Sequence, residues 1–380
     1  MIKISRLLPI ILLISSQSLF CATIVVINTN DSGPDSLRQA INDANSNGDP
    51  SNIINFNIPG AGPHTIQLTS ALPAITKPVT IDGYSQPGAQ VATATSPALL
   101  QIELDGTNAG ESDGLTLNPG SDGSTIRGLV INRFGSDGIF ILSSNNKILG
   151  NYIGTNVAGT AALGNGDEGI EVEAGGNIIG GTNPADRNII SGNSSEGIEL
   201  DGSNNQIIGN YIGTDATGTQ AIPNNADGID AAKKISIPTI NNIIEKNIIA
   251  FNGSQGIDAN NGFSNNIIRC NKIFNNNSFG IQVDSPNADA NSILENSIFD
   301  NGNNGIGLTN GGNNNQAAPV ITSATASGQT IKVSGTLNSL PNRTFRIEFF
   351  VNTTDRNPIT EGRTFVGFVN VTTDNAGLAQ

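Results

Sequence analysis

Several residue types are scarce in this 380-residue chain, and each scarcity removes a class of function. There is no tryptophan, and His64 is the one histidine. A Ser-His-Asp triad or a histidine-based metal centre therefore has almost no material. Cysteine occurs twice, as Cys21 and Cys270. Cys21 falls in the apolar N-terminal stretch, and Cys270 alone cannot close an internal disulfide, so stability has to come from packing. With no histidine or second cysteine near it, Cys270 in "NNIIRCNKI" reads as a small residue at a turn. Only 13% of residues are charged, and 18 Lys and Arg against 32 Asp and Glu leave a formal net charge of −14. No basic patch is available for nucleic acid, which needs clustered Lys and Arg.

Long apolar runs are confined to the start. "MIKISRLLPIILLISSQSLFCA" has Lys3 and Arg6 ahead of an apolar run from Leu7 to Ile14. That run is short for a membrane span and fits a secretory signal over residues 1–22, cleaved near residues 18 to 22. Ser18, Leu19 and Phe20 are a poor lead into a lipidated Cys21. No other stretch could cross a membrane as a helix. The expected location is outside the cytoplasm, secreted or at the cell surface.

What the chain has in abundance is repetition. "SDGIFILSSNNKILGNYIGTNVAGT" at 136–160 returns without a gap as "SEGIELDGSNNQIIGNYIGTDATGT" at 195–219. Gly followed by Ile or Leu recurs at Gly114, Gly138, Gly169, Gly197, Gly228, Gly256, Gly280 and Gly305, in steps of 24, 31, 28, 31, 28, 24 and 25 residues. Repeats of this length mean a solenoid, a propeller or an array. Within each unit, runs such as "GIEVE" and "GIQVD" alternate with the period of a strand, and helical spacing is absent. Each unit reads as one coil of an all-β parallel β-helix. Asn146, Asn205, Asn242, Asn266 and Asn291 share one repeat position, and Asn151, Asn210, Asn247, Asn271 and Asn296 follow five residues later. At a rung spacing of roughly 4.8 Å, such columns form structural amide ladders, and Asn also tolerates left-handed turns. The 31-residue coils carry an extra loop, "GTNVAGTAALGNGD" and "GTDATGTQAIPNNA", on the same side.

The ends differ from the middle. In "GPDSLRQAINDANSNG", Ser36 and Gln39 suit a capping box, Leu37, Ile41 and Ala44 make an apolar stripe, and Gly48 is a stop signal. This predicts an amphipathic helix covering the N-terminal end. After "NGGNNNQAAP" the strands lengthen, as in "QTIKVSGTL" and "TFRIEFFVN", which predicts a small β-sandwich-like module over 317–380. So few residues are thin for a complete sandwich, so the module is expected to be truncated at Gln380.

"SGPDSLRQAINDAN" followed by "INFNIPGAGPHTIQLTSALPAITKPVTIDGYSQPGA", with "GNYIGTDATGT" and "IIGGTNPADRNIISGN" later, resembles bacterial secreted right-handed parallel β-helix repeat proteins. That group often carries a similar Ser-Leu-Arg capping helix. The resemblance implies a right-handed β-helix over 23–316, and export. Its relatives include lyases, hydrolases, epimerases and adhesins, so it does not choose a function.

Candidate chemistry lies on one outward face. With the Ile and Val of "GIEVE" turned inward, one outward column reads Phe140, Glu171, Glu199, Asp230, Asp258, Gln282, and the next Leu142, Glu173, Asp201, Ala232, Asn260, Asp284. Like charges one rung apart should raise carboxyl pKa values or recruit a cation. Oxygen ligands favour calcium, with Glu199, Asp230 and Asp258 as the candidate set; otherwise no cofactor is required. Paired carboxylates also suit glycoside hydrolysis, for which Glu199, Asp201 and Asp230 are the catalytic candidates. Glu171, Glu173, Asp258 and Asp284 would line a binding strip, and Tyr152 and Tyr211, two coils apart, could stack on sugar rings or cover the long loops. The bland alternative is a solvated acidic surface. By the resemblance, a lyase would want a Lys or Arg base near these acids, and the nearest, Lys233 and Lys234, sit in an irregular insertion, "AAKKISIPT". An epimerase would want His and Tyr beside them, and none is there. The expected partner is a polysaccharide or cell-surface glycan. Three functions stay open: an adhesin-like binder, a polysaccharide lyase or hydrolase, and a structural spacer.

Overall fold

The computed structural model describes residues 22–234, 236–328, 330–352 and 361–380. The signal-peptide reading falls on residues 1–21, outside the described residues apart from Ala22. From Gly114 to Gly280 each repeat contributes one short strand to each of three all-parallel sheets of ten, nine and eight strands, and Gly305 opens the last strand of the eight-stranded sheet. About 11 turns of coil result. One sheet runs from Ala22–Val26 to Ser292–Leu294, the second from His64–Gln67 to Ser297–Phe299, and the third from Leu115–Leu117 to Ile306–Thr309. Register is set by the repeat: Ile170, Ile198, Ile229, Ile257 and Ile281 stack directly, each fully buried. Burying one such side chain stabilises by roughly 1.5–3 kcal/mol. A one-residue slip would turn the whole column out to solvent.

At each of the three corners the backbone leaves the sheet, and an asparagine ladder meets its hydrogen-bonding demand. The two expected columns are present and also include Asn177 and Asn188. A third, Asn165, Asn193, Asn224, Asn252, Asn276 and Asn301, was not anticipated. The side chains are buried. A ladder carbonyl typically accepts the backbone N–H of the preceding rung, as Asn210 Oδ1 does from Asn188 N at 3.3 Å. The left-handed residue of the turn is the one before the ladder Asn: Asn145, Asn204, Asn241 and Asn265 have φ near +60°. Cys270 occupies such a place, with φ of 55°, in keeping with its reading as a turn residue.

The N-terminal helix, Leu37–Ser46, forms as expected. Ser36 Oγ accepts from Gln39 N at 3.2 Å, and Leu37, Ala40, Ile41 and Ala44 join the main core. It ends at Asn47, one residue before Gly48.

After residue 316 the strands become antiparallel, Val320–Ser327 with Thr330–Asn338 and Thr344–Val351 with Thr364–Thr372. The Thr344–Val351 strand and residues 361–363 close the end of the nine-stranded sheet. Ile298 and Gly362 exchange two backbone hydrogen bonds, at 2.9 and 3.0 Å. Glu361 takes the place of the next asparagine in the third ladder, accepting from Asp300 N at 2.8 Å and Asn301 N at 2.9 Å. Arg346 pairs with Glu295 at 2.6 Å, and Arg363 with Asp300 at 2.7 Å. Phe274 and Phe299 stack with centroids 5.1 Å apart, in a cluster separate from the main core, and Arg363 lies 4.0 Å from the Phe299 ring. Glu361→Ala should strip two N–H groups of their partner and lower stability by about 1–2 kcal/mol, with Glu361→Gln losing less; a urea melt reads both.

Candidate functional site

The eight-stranded sheet carries the acidic face. Its register places Glu171, Glu199, Asp230 and Asp258 on four successive rungs, as the sequence columns require. The face is less exposed than outward positions suggest: Glu199, Asp201 and Asp230 are 3%, 0% and 6% exposed. Glu171, Glu173, Asp258 and Asp284 are half-buried.

Two features explain this burial. The first is a third acidic column that the sequence reasoning missed. Asp137, Glu168, Glu196 and Asp227 each stand immediately before a repeat glycine, and all four are buried. Counting one residue back from each glycine would have revealed them. The second is the lysine pair. The expectation that Lys233 and Lys234 stand off in an insertion is corrected, because the segment folds back over the carboxylates. Lys233 Nζ lies 2.8 Å from Glu199 and 3.6 Å from both Glu168 and Glu196. Lys234 Nζ pairs with Glu171 and Glu173 and lies 3.5 Å from Glu199, while its backbone N–H donates to Asp201 Oδ1 at 3.0 Å.

The remaining candidates have specific partners. Asn260 donates to Asp230 at 2.6 Å. Asp284 accepts from Thr309 at 2.6 Å and Asn310 at 2.7 Å. Tyr152 is 2% exposed, donates to the Ala98 carbonyl at 3.1 Å, and is closed to a stacking sugar. Tyr211 lies beneath Arg187, 4.1 Å from its ring centroid. Both tyrosines pack in a cluster with Val157 and Ala216 of the two long loops, so they cover the loop bases. His64 lies in the first strand of the nine-stranded sheet and belongs to none of these contacts.

Three sets of carboxylate oxygens lie within 4.8 Å of one another: Asp137, Asp167 and Glu168; Glu168, Glu196 and Glu199; Glu196, Asp227 and Asp230. The expected set of Glu199, Asp230 and Asp258 is not among them, because Asp258 stands one rung too far along. The middle set already faces the Lys233 ammonium.

Protonation differs along the face. Burial, then the Asp258 charge, pushes Asp230 up to about 7. Burial, then the Asp227 charge, does the same for Asp258, and burial lifts Asp227 to about 6. Burial also raises Asp137, Glu168 and Asp201. Glu199 goes the other way: burial opposes its charge, but Lys233 overcomes this and holds it below the usual carboxylate range. Both lysines are raised; burial works against them, and their carboxylate partners prevail. They therefore keep their protons.

A carboxyl whose folded pKa is raised contributes stability below its unfolded pKa, near 4, and loses it as pH rises through the folded value. For Asp230 that window runs from about pH 4 to about pH 7. Asp230→Asn keeps an acceptor for Asn260 and removes the titration. It should match the parent at pH 4 and exceed it at pH 8 by about 1–2 kcal/mol, seen as a higher melting temperature at the upper pH alone.

Residues 163–345 match the family model described as a right handed beta helix region. That match and the coil order show the fold, a right-handed parallel β-helix. Similar solved structures include a mutant of the periplasmic alginate epimerase AlgG, with 15% identity, TM-score 0.38, and 76% of this chain and 73% of that chain covered. The pectate lyase Pel9A has 16% identity and TM-score 0.41, covering 74% and 71%. The A-module of an Azotobacter vinelandii mannuronan C-5 epimerase has 15% identity and TM-score 0.42, covering 74% and 77%. No curated protein matches the sequence. No helix among the described residues is long and apolar enough to cross a membrane.

Proposed function

We propose that the acidic face is a polysaccharide-binding surface of an exported protein, adhesin-like in its attachment to a glycan. The carrying observation is the in-register row of carboxylates on four successive rungs. Such a row, with the Lys233 and Lys234 ammonium groups lying on it, offers regularly spaced polar groups to a repeating polymer. A spacer would have no use for carboxylates that are costly to bury.

One observation favours a second reading, glycoside hydrolysis. Glu199 is held ionised, while Asp230, its partner in register, is raised to about 7. Neighbouring carboxyls with their pKa values driven apart are what an acid and a base or nucleophile require. The lyase reading has less support, since the carboxylates around both lysines raise them, the direction opposite to what a base needs. Calcium, if it takes part, would use the Glu196, Asp227 and Asp230 oxygens, which suit a hard cation.

Light scattering on size-fractionated mixtures with a polysaccharide panel, with and without calcium, tests this. A polymer that co-elutes intact supports binding. A polymer shortened by the parent but not by Glu199→Gln supports hydrolysis. Neither effect with any polymer would overturn both.

A further inference from the structure

The lysines on the acidic face narrow the ligand class. We propose that the polysaccharide taken here carries amines, and that the Lys233–Lys234 segment is a resident occupant that such a polymer displaces. The inference rests on the polysaccharide reading of the same face.

The segment leaves the coil after Ile229–Ala231, where Ala232 takes a left-handed φ of 64°. It reaches back across the two preceding coils and seats two ammonium groups among carboxylates. One sits against Glu168, Glu196 and Glu199, the other against Glu171, Glu173 and Glu199. Glu168, Glu196 and Glu199 beneath are nearly closed to solvent and Glu171 and Glu173 half-buried, whereas the Lys233 and Lys234 side chains are 46% and 36% exposed. The lysines thus lie on the face and are not built into it. A separate observation concerns the floor. Asp201 is fully buried, and its Oδ2 has no hydrogen-bond partner among the described residues, although its Oδ1 takes the Lys234 N–H. Burial and the neighbouring Glu199 raise this carboxyl, so beneath the segment lies a buried polar group with one oxygen that the Lys234 N–H does not engage.

Charge selects the donor. Lifting the lysines for a neutral polymer would leave buried carboxylates without a cation, a strongly unfavourable exchange. A uronate polymer would add like charge to an acidic face. Only a ligand that brings its own ammonium groups replaces the lysines one for one.

The test compares three oligosaccharides of equal length by calorimetry at pH 6 and fixed salt: a glucosamine oligomer, its fully N-acetylated form, and an oligouronate. Hydrogen exchange of residues 232–238 is followed in parallel. The expected result is at least tenfold tighter binding of the glucosamine oligomer, with faster exchange in the segment. Lys234→Gln removes one resident competitor, keeps Lys233, and should tighten that binding several-fold. Non-specific attraction to an acidic protein would give neither faster exchange nor tightening. Equal or better binding of the acetylated oligomer or the uronate overturns the inference and leaves the polysaccharide reading intact. So does tight glucosamine binding with the segment unchanged. If none of the three binds and no other polysaccharide does, both fail.

Discussion

Asn247→Ala is expected to lower stability by about 3–6 kcal/mol, a large share of the 5–15 kcal/mol typical of a folded domain. Asn247 is 1% exposed in the middle of the second ladder. Its Oδ1 accepts from Asn210 N at 2.9 Å and Asn210 Nδ2 at 3.1 Å. Its Nδ2 donates to the Ile207 carbonyl at 2.8 Å and to Asn271 Oδ1 at 3.0 Å. Alanine strands a backbone N–H, an amide N–H and a carbonyl in a space closed to water, and each orphan costs about 1–3 kcal/mol. In a solenoid each coil rests only on its neighbours, so the weak point should let the two halves melt separately. Urea denaturation should give a lower midpoint and a broadened or divided transition. Asn247→Asp keeps the acceptors but loses the donors and buries a charge, so it should be no better. A loss below about 1 kcal/mol in the alanine variant would show that the ladders do not hold the corners.

Lys233→Met should be the second large effect, and it should depend on pH. The variant keeps the side-chain bulk and removes the cation nearest Glu168, Glu196 and Glu199, which are 4%, 6% and 3% exposed. Breaking a fully buried pair costs about 3–5 kcal/mol. With Lys233 nearly half exposed, solvent screening reduces this to about 2 kcal/mol. The sign follows from Glu199, whose folded pKa is depressed. Its contribution is present above the unfolded pKa and lost as pH falls through the folded value. The gap between variant and parent should therefore be full at pH 8 and narrow only as pH falls below about 4.5, toward the depressed value of Glu199. A gap independent of pH would mean that Lys233 acts through packing alone.

Much of the architecture was legible because a solenoid repeats its instructions. The Gly-Ile step gave the coil, the alternation in "GIEVE" gave the inward face, and Ser36 with its apolar stripe gave the capping helix. The third ladder was legible in principle, since each member lies four residues before a repeat glycine, from Asn165 and Gly169 to Asn301 and Gly305. The long loops between the preceding strand and these residues vary in length and hide the spacing when it is counted forward. The buried acids at Asp137, Glu168, Glu196 and Asp227 were hidden in the same way. Other features had no local signal. Nothing in "AAKKISIPT" says that its lysines fold back over Glu171 and Glu199, because that depends on where an irregular segment closes. Nor does the chain around Glu361 show that this carboxylate continues a ladder begun at Asn165.

The central claim is that the acidic face is where a polysaccharide sits. Carbodiimide footprinting of carboxylates, with and without a polymer that co-elutes with the protein, tests it directly. The half-buried Glu171, Glu173 and Asp258 should lose labelling when the polymer is bound, while Asp43 on the N-terminal helix and Asp122 at an exposed corner should label unchanged. Unaltered labelling of the three acids in the bound state, or protection confined to another part of the molecule, would contradict the claim.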